Sequence, residues 1–435
     1  MRPQGAGAAF ERRSADWVGV EEAQERILSA ASSLPSEEVV AAEAAGRVLA
    51  AGFVAAATLP PWDNSAMDGY AVRAEDVRSA SAARPVGLRV VGRIHAGHAG
   101  IHSLGPGEAA RIMTGAPLPL GADAVVRVED TDAEGERSDH VAVRAAVEAG
   151  RYVRPAGEDF QAGDRVIEAG RVVTPGVVAL SSALGRALIP VHRRPCVALL
   201  ATGDELRPVD RYEDVLAGAA IPESNRPMLA AMVHEAGGTV GSTSLAPDDP
   251  DQILARIEEA DEDDVLVTIG GASMGEADLV KRVLDRAGFE QDFWRVRMRP
   301  GSPFSFGFLR RGQRRQAVFG LPGNPSSAFV TFELFVRPFL RRLAGHSTWF
   351  RPMESMVAAE ELTGPSHLAA YLRVQVDRGV APPAARLTGP QGSGLVRGLA
   401  LADGLAVIPE GVGRVPIGAP VSVMLLSGNA SRVEA

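Results

Sequence analysis

The sequence predicts a multidomain protein of the α/β plus β class, and three observations support this. Its 435 residues allow about three domains at roughly 150 residues per domain. Residues 195–345 alternate short apolar runs with helically spaced apolar residues, which is typical of a parallel sheet covered by helices. Residues 72–146 and the segment after residue 345 instead carry short strand patterns between Gly and Pro, which favours separate β domains.

One strand, loop and helix organise the α/β part. Val265–Ile269 is an apolar run of the kind that is buried in a parallel sheet. Gly270 and Gly271 follow, and from Glu276 the apolar spacing becomes helical, with Gly288 as the C-terminal stop. A glycine-rich loop that enters a helix is an anion site, although a plain structural turn also favours two glycines. Asp278 beside such a site indicates a divalent cation between the acid and a phosphate.

Composition narrows the function classes. The net charge of −9 argues against a general nucleic-acid binder. Cys196 is the only cysteine, which excludes intramolecular disulfides and cysteine-based zinc sites. No segment reaches the roughly 18 uninterrupted apolar residues of a membrane span, and the first residues lack the apolar core of a signal peptide. We therefore expect a cytoplasmic protein with neither a nucleic-acid nor a membrane partner.

The other elements of the first half follow from apolar spacing and capping residues. Helices are predicted over residues 20–34 and about 36–50, and a third begins at the Thr174-Pro-Gly cap. The predicted strands between them are Val86–Ile94, Glu108–Met113, Ala124–Val128 and His140–Val147. Three histidines share a Gly-rich run without acidic partners, which favours surface histidines over a metal site. They are His95, His98 and His102.

The second half is predicted in the same way. Its further strands are Val197–Ala201, Val240–Leu245, Phe293–Arg299 and Ala317–Leu321. Helices follow the Ser224 cap, Pro250 and Pro325, and the last runs to Leu343 with a kink at Pro338. The tail fits a small β-barrel-like domain. Its predicted strands are Tyr371–Val376, Leu405–Pro409 and Val421–Leu426.

Loops that follow parallel strands gather at the carboxyl edge of a sheet, where ligands bind. The predicted loops at this edge carry acids and an amide, with three arginines near by. They are Asp204, Glu205, Asp248, Asp278 and Asn324, with Arg295, Arg297 and Arg299. Carboxylates suit Mg²⁺ and guanidinium groups suit phosphate or another oxyanion. Solvated surface charge is the alternative for each residue alone, and the set as a whole indicates a metal-assisted anion site.

Two loops before residue 160 are also dense in polar residues. In the first, Asp63 and Asp68 flank Asn and Ser on a segment that two prolines stiffen. In the second, Arg154, which can hold an oxyanion with its planar fork, precedes Glu158 and Asp159. Both loops indicate groups held for a ligand or a metal, and the alternative is a tight connection with solvated charges.

Seven motifs in chain order resemble the molybdopterin molybdenumtransferase family, the bacterial MoeA proteins, which are similar to the C-terminal domain of gephyrin. They are DNSAMDGYAV, IMTGAP, GEDFQAGD, TGDEL, GGASMGEADLVK, MRPGSPFSFG and LPGNPSSA. The resemblance extends from about residue 17 to the end. It implies a homodimer whose subunit has four parts. These are an elongated linking domain at 17–57 and 147–190, an inserted β domain at 58–146, a central α/β molybdopterin-binding domain at 191–345 and a C-terminal β domain at 346–435.

The resemblance also implies a reaction. Such proteins take adenylylated molybdopterin and molybdate, insert the metal into the dithiolene with the help of Mg²⁺, and release AMP and molybdenum cofactor. The cleft of this family lies between the α/β domain of one subunit and the inserted β-domain side of the other. The implied transient partners are the molybdopterin adenylyltransferase and the apo-molybdoenzymes or their chaperones.

Matched motif positions imply the site residues. The implied catalytic residues are Asp63, Asp159, Glu205 and Asp278, of which Glu205 and Asp278 hold the metal. The implied substrate-binding residues are Thr114, Arg154, Asp248, Ser273, Arg295, Arg299, Pro322, Asn324, Pro325 and Ser393. Two departures affect the anion contacts, because Arg295 and Arg299 stand where the family often has lysines and Ser302 stands where many relatives carry another lysine.

Two other function classes stay open. One is a molybdopterin adenylyltransferase, whose single domain resembles residues 195–345, and the additional domains argue against it. The other is a non-catalytic molybdopterin-binding or scaffold protein, as the gephyrin domain is at synapses, and the retained acidic residues argue against it.

Overall fold

A computed structural model describes residues 17–97, 103–132, 139–270 and 279–426. The chain forms two compact units. The first unit comprises the chain up to Ala50, Gly170–Val178 and the chain from Leu188, and the second comprises Ala51–Ala169 and Ala179–Ala187. The finer division into four domains stays a prediction.

A six-stranded sheet forms the centre of the first unit. Its strands are β1 (Cys196–Thr202), β2 (Thr239–Ala246), β3 (Val265–Ile269), β4 (Glu290–Trp294), β5 (Ser305–Arg311) and β6 (Arg314–Leu321). Their spatial order is β2-β1-β3-β6-β5-β4. The first four strands in this order are parallel, and β5 pairs antiparallel with both of its neighbours. The carboxyl ends of β1, β2, β3 and β6 therefore lie at one edge, which confirms the predicted α/β arrangement.

Helices cover both faces of this sheet. They are α1 (Asn225–Glu235), α2 (Pro250–Glu259), α3 (Leu279–Arg286), α4 (Pro325–Thr331) and α5 (Arg337–Leu343). Alternate residues of β1 belong to different apolar clusters, because successive side chains of a strand point to opposite faces. Leu199 packs in the cluster that includes residues of α1, α4 and α5, whereas Leu200 packs in the cluster that includes residues of α2 and α3.

A closed barrel completes the first unit. Its strands are β7 (Met353–Ala358), β8 (Ala369–Asp377), β9 (Ala384–Leu387), β10 (Gly404–Ile408) and β11 (Pro420–Leu425). They pair in the ring β8-β9-β7-β11-β10, and β10 pairs again with β8, so the ring has no free edge. Closure confirms the predicted small β-barrel-like domain. The short strand Met298–Arg299 pairs with the start of β8 and joins the α/β part to the barrel.

The second unit contains a five-stranded sheet. In spatial order its strands are Ala124–Arg127, Gly69–Val72, Glu108–Ile112, Val86–Ile94 and His140–Val143. Four of these were predicted to within four residues at each end. The fifth, Gly69–Val72, needs its glycine, since a Cβ at Gly69 would lie 2.0 Å from the carbonyl oxygen of Val126. Two short pairs, Asn64–Ser65 with Val153–Arg154 and Phe53–Val54 with Arg165–Ile167, complete the unit's strands in the described residues.

The predicted helix over residues 36–50 is wrong. Ser36–Val40 is a strand that pairs antiparallel with Leu188–His192, and only the short 3₁₀ turn Ala41–Glu43 follows it. The Ala- and Glu-rich sequence favours a helix, but pairing with a distant strand overrides this weak preference. The N-terminal helix, Val20–Ser29, also ends earlier than predicted.

Two further expectations need correction. The predicted strand Phe293–Arg299 is interrupted after Trp294, where Arg295 has a φ of 79°. Val296 forms an isolated bridge with Val18, and a strand resumes at Met298. Ser224 occupies the predicted N-cap position of α1, but its side chain makes no capping hydrogen bond. Instead, Glu223 Oε1 accepts a hydrogen bond from the Arg226 N–H at 2.8 Å.

The predicted helix ends are otherwise close to those observed. The helix after Thr174 spans Pro175–Ala183, and the predicted kink near Pro338 takes the form of a π-helical segment, Phe332–Val336, directly before α5. Within the residues that the structure describes, no helix is long and apolar enough to cross a membrane.

Candidate active site

Carboxylates from two adjacent loops meet at the carboxyl edge of the central sheet. Asp204 and Glu205 follow β1, and Asp248 follows β2. The Asp248 N–H donates to Asp204 Oδ1 at 3.1 Å, which joins the two loops. Partial burial raises the pKa of the Asp248 carboxyl, and the negative charges of Asp204 and Glu205 raise it further. A cation bound here would relieve this repulsion.

The loop after β6 is joined to the same edge. The Gly270 N–H, after β3, donates to the carbonyl oxygen of Leu321 at 3.0 Å. Asn225 Nδ2, at the start of α1, donates to the carbonyl oxygen of Gly323 at 2.7 Å. Asn225 Oδ1 is buried and finds no partner in the described part of the chain, so this edge retains an unused acceptor. Asn324 then caps α4 by position, without a side-chain hydrogen bond to the helix.

A cavity of about 850 Å³ opens between this edge and the barrel, within the first unit. Its walls are residues 299–303, the 322–327 loop and helix start, and barrel residues 363–372 and 391–393. The structure therefore brings together four predicted site residues and Ser302, which stands where many relatives carry a lysine. They are Arg299, Ser302, Pro322, Asn324 and Ser393.

Arg373, on β8, holds one wall of this cavity. Its guanidinium is buried, with 2% of the residue exposed, and donates to the carbonyl oxygens of Leu395 at 3.0 Å and Pro390 at 2.9 Å. It also donates to Ser326 Oγ at the start of α4. The Ser326 N–H in turn donates to the carbonyl oxygen of Ser393 at 2.9 Å. Arg373 thus fixes the loop that carries Ser393 against α4.

Arg373 has an unusual electrostatic environment. All of its hydrogen-bond acceptors are neutral, and burial lowers the pKa of its guanidinium. A buried cation without a carboxylate beside a cavity favours an anion in that cavity. Sequence reasoning missed Arg373, although an arginine inside an otherwise apolar strand pattern is a signal that could have found it.

The three arginines predicted at this edge differ in whether their side chains are free to reach the cavity. Arg299 is exposed and lines the cavity. Arg297 is engaged elsewhere, because it donates to the carbonyl oxygen of Trp17 and pairs with Glu410 at 3.1 Å. The Arg295 guanidinium lies 4.5 Å from the ring centre of Trp294 and 5.3 Å from that of Trp17. Only Arg299 of this group is therefore available at the cavity wall.

The polar loops of the second unit form a separate cluster. Asp63 Oδ1 accepts a hydrogen bond from the Ala156 N–H at 2.8 Å, and Asn64 pairs with Arg154. Through these contacts the predicted residues Asp63 and Arg154 lie on neighbouring segments of the second unit. Asp159 lies on the adjoining turn, where its N–H donates to the carbonyl oxygen of Leu59 at 3.2 Å.

Asp68 holds the predicted residue Thr114. It accepts hydrogen bonds from the Thr114 N–H at 2.7 Å and from Thr114 Oγ1 at 2.8 Å. These two bonds lower the pKa of the Asp68 carboxyl, which is therefore ionised at neutral pH. The sequence predicted Asp68 only as one of two acids on its loop, and the structure shows that Asp68, and not Asp63, positions Thr114.

Some predicted residues lie outside the described part of the chain. They are Ser273, Asp278, His98 and His102. Among the described residues, no group of three His, Cys, Asp or Glu side chains is placed to hold a metal ion by itself. Glu205 and Asp248 are described, and any metal at this edge would need oxygen ligands from elsewhere as well. Pro325 begins α4, where its missing N–H is not needed.

Comparison with known proteins gives the family. Residues 18–185 match the profile described as "MoeA N-terminal region (domain I and II)", residues 198–342 match "Probable molybdopterin binding domain" and residues 355–426 match "MoeA C-terminal region (domain IV)". A Mycobacterium tuberculosis protein named molybdopterin molybdenumtransferase 2 is 41% identical over 387 residues, which are 88% of this chain and 93% of that protein. The chain belongs to the MoeA family.

Two further relatives agree with the MoeA assignment. A Staphylococcus aureus protein named molybdopterin molybdenumtransferase is 32% identical over 96% of this chain and 97% of its own length. The crystal structure of a molybdopterin biosynthesis moeA protein from Pyrococcus horikosii is similar with a TM-score of 0.79 and 32% identity, covering 95% of this chain and all of that one. The predicted family and the predicted fold class are both confirmed.

Proposed function

We propose that this MoeA-family chain is a molybdopterin molybdenumtransferase of molybdenum cofactor biosynthesis. In this reaction molybdate is inserted into adenylylated molybdopterin, and AMP is released. The bacterial relatives carry the transferase activity in their names. The observation that carries the proposal is the 850 Å³ cavity walled by the exposed Arg299 and held by the buried Arg373, at the same sheet edge as the acids Asp204 and Asp248.

The charges of this edge suit the two substrates. Arg299 would bind the molybdate oxyanion or the substrate phosphate, since a guanidinium can donate two parallel hydrogen bonds to such a group. Arg373 would act indirectly, by holding the Ser393 loop and by placing positive charge behind the cavity wall. Asn324 and Ser393 would supply polar contacts to the pterin or the oxyanion. Pro322 completes the proposed substrate contacts at the cavity wall, whereas Arg295, which lies against the rings of Trp17 and Trp294, is not among them.

Magnesium is part of this proposal. Mg²⁺ is usually bound by one or two carboxylates together with substrate phosphates and water. Glu205 and Asp278 would provide these carboxylates, with Asp248 beside them, and the raised pKa of Asp248 supports a cation at this place. When bound, the ion would neutralise charge on the departing AMP phosphate.

The remaining catalytic residues would come from a partner subunit. We infer a homodimer in which Asp63, Thr114, Arg154 and Asp159 of one subunit face the carboxyl-edge cavity of the other. The proposal rests on the family resemblance and on the clustering of these residues in the second unit. The adenylyltransferase that supplies the substrate, and the apo-molybdoenzymes or chaperones that receive the product, would be transient partners in the cytoplasm.

Cofactor formation in vitro tests the activity. The purified full-length protein receives adenylylated molybdopterin, Mg²⁺ and molybdate, and activation of an apo-molybdoenzyme is followed. We expect activation that requires both molybdate and the protein. Tight pterin binding without turnover would instead favour a binding or scaffold protein, and ATP-dependent transfer of AMP to molybdopterin would favour an adenylyltransferase.

Mixing two inactive variants tests the shared site. Arg299→Gln removes the cavity arginine, and Asp63→Asn removes an acid of the second unit. If the site combines two subunits, each mixed dimer contains one intact site and one doubly altered site. Two variant chains in equal amounts pair at random, so half of the dimers are mixed. Co-refolded or co-expressed chains should therefore regain up to about a quarter of the wild-type activity per subunit. No recovery in verified mixed dimers would contradict the shared site while leaving the transferase activity itself intact.

A further inference from the structure

A second, smaller cavity lies at the amino edge of the central sheet, opposite the loops described above. Its volume is about 200 Å³, below the roughly 300–1,000 Å³ of sites for drug-sized ligands, so its occupant is small. His192 and Arg194, which precede β1, and the ends of α1 and α5 line it. We call it the amino-edge cleft. Its lining side chains with charge or hydrogen-bonding capacity include Arg47, His192, Arg194, Glu235, Arg341 and His346.

Two of its arginines have unused donors. The Arg47 side chain is 10% exposed and donates through one terminal nitrogen to the carbonyl oxygen of His192 at 2.7 Å and to Glu37. Its Nε–H is buried and has no acceptor among the described residues. The partly buried Arg194 makes no side-chain hydrogen bond or ion pair within the described ranges. Buried donors without acceptors are rare, because leaving them unpaired costs stability.

Arg341 and His346 add directed donors. Arg341 donates through Nε to the carbonyl oxygen of Thr348 at 2.8 Å, and a terminal nitrogen lies 3.2 Å from His346 Nδ1. A guanidinium can only donate, so His346 Nδ1 is the acceptor and Nε2 carries the ring proton. Burial, and then the charges of Arg341 and Arg337, lower the pKa of His346 to about 4. The neutral ring therefore keeps one N–H donor at Nε2.

The lining holds one carboxylate against three arginines. Glu235 is its only acid, and it is paired with Arg351 at 2.7 Å. Glu37, outside the lining, is paired with Arg47. The chain as a whole carries a net charge of −9, so three arginines around one small cavity are a local excess of positive charge.

We propose that the amino-edge cleft is a binding site for a small tetrahedral oxyanion of the phosphate or sulfate class. Arg194 and Arg341 hold the anion from the mouth, and Arg47 reaches it from the buried side. The cleft size suits one such ion, and guanidinium donors match its oxygens. The site stands apart from the carboxyl-edge cavity and does not depend on the transferase proposal.

Calorimetric titration of the full-length protein with sodium phosphate, sodium sulfate and, in a third arm, sodium molybdate tests the site at constant ionic strength. We expect saturable binding of at least one oxyanion that Arg194→Gln weakens about tenfold or more, as expected for a lost charge-assisted hydrogen bond. Arg194→Lys should retain part of the affinity. Comparison of the three titrations shows which oxyanion the cleft prefers, and each of the three is a tetrahedral oxyanion that arginine side chains can bind.

Three controls keep the test sharp. Arg282→Gln, an exposed arginine on α3, removes the same charge elsewhere and should leave this binding unchanged. The binding that Arg194→Gln weakens should persist in Arg299→Gln, which separates it from any oxyanion bound at the other cavity. Crystals soaked in selenate should show an anomalous peak between Arg194 and Arg341. Absence of saturable binding by all three anions, equal binding by wild type and folded Arg194→Gln, or a peak only elsewhere would overturn the proposal.

Discussion

The two edges of the central sheet carry arginine-lined cavities with opposite surroundings. At the carboxyl edge, loops after the strands bring Asp204 and Asp248 together, and the loop after β6 lines the cavity that Arg299 also lines. At the amino edge, Arg194 and Arg341 stand near helix ends, and the only lining acid is already paired. Acids and a cavity arginine at one edge suit a metal-assisted reaction of an anion, whereas an excess of arginines over acids suits anion binding without chemistry.

The two edges also differ in the contacts that hold their cavity walls in position. The carboxyl-edge cavity depends on the neutral hydrogen bonds of Arg373. The helix that leads to the amino-edge cleft is anchored by a buried ion-pair network, in which Glu333 contacts Arg351 at 2.8 Å and Arg337 at 3.6 Å. Changes to one anchor should therefore affect one edge more than the other.

Glu333→Gln should have the largest effect on stability. The Glu333 side chain is 1% exposed, and its removal leaves the buried arginines Arg337 and Arg351 without their shared carboxylate. Breaking a buried pair in this way typically costs about 3–5 kcal/mol. Denaturant unfolding measures it. Glu354→Gln, in the exposed pair with Arg378, is the matched control and should unfold close to wild type. Equal midpoints for the two variants would contradict the anchoring role of the network.

Arg373→Met should damage the carboxyl edge. The change leaves the carbonyl oxygens of Pro390 and Leu395 without their donor and frees the loop that carries Ser393. We expect molybdate-dependent AMP release to fall by about 10²–10³-fold, the range for loss of a preorganised charged or donor group. Hydrogen exchange should rise in residues 390–395. Arg373→Lys should restore little, because one ammonium cannot reproduce the fork. Full activity of folded Arg373→Met would show that Arg373 does not support the reaction.

Asp248→Asn should raise stability slightly at neutral pH and lower the Mg²⁺-dependent activity. The pKa of Asp248 is raised in the fold, so the ionised group costs stability as pH rises from its ordinary value of about 3.9 through the folded value. At neutral pH the Asn variant should be slightly more stable than wild type, with a gain below about 1 kcal/mol because Asp248 is mostly exposed and solvent screens its partly buried carboxyl. Its Mg²⁺-dependent activity should nevertheless fall. Thermal unfolding at pH 7 and pH 4 checks the sign, and the gain should shrink at the lower pH.

Asp68→Asn should have the smallest effect, and one of opposite pH dependence. The pKa of Asp68 is lowered by its bonds to Thr114, so the carboxylate contributes stability above its unfolded pKa. That contribution is lost as pH falls through the folded value. Wild type should therefore exceed Asp68→Asn slightly in thermal midpoint at pH 7, and the difference should vanish in strong acid. A constant difference across this range would show that ionisation of Asp68 is irrelevant to the Thr114 turn.

Local patterns predicted most of the carboxyl edge. Val265–Ile269 was placed without error, because a buried strand and its flanking turn are encoded in adjacent residues. The loops with Asp204, Asp248 and Asn324 followed from the rule that strand ends gather at one edge.

Long-range assembly was not predictable in the same way. The helix expected over residues 36–50 failed because a distant strand, Leu188–His192, pairs with Ser36–Val40. The amino-edge cleft combines Arg47, Arg194 and Arg341, which are more than one hundred residues apart in sequence, and no local motif marks it. Arg373 was missed because its role depends on a loop beyond its own strand.

The most direct test of the central comparison is molybdate-dependent AMP release by three full-length proteins: wild type, Arg299→Gln and Arg282→Gln. Each receives adenylylated molybdopterin and Mg²⁺, with and without molybdate. If the carboxyl-edge cavity performs the reaction, wild type and Arg282→Gln release AMP in a molybdate-dependent manner, and Arg299→Gln is slower by about 10²-fold or more. Equal rates for folded Arg299→Gln and wild type, or AMP release that does not respond to molybdate, would contradict it.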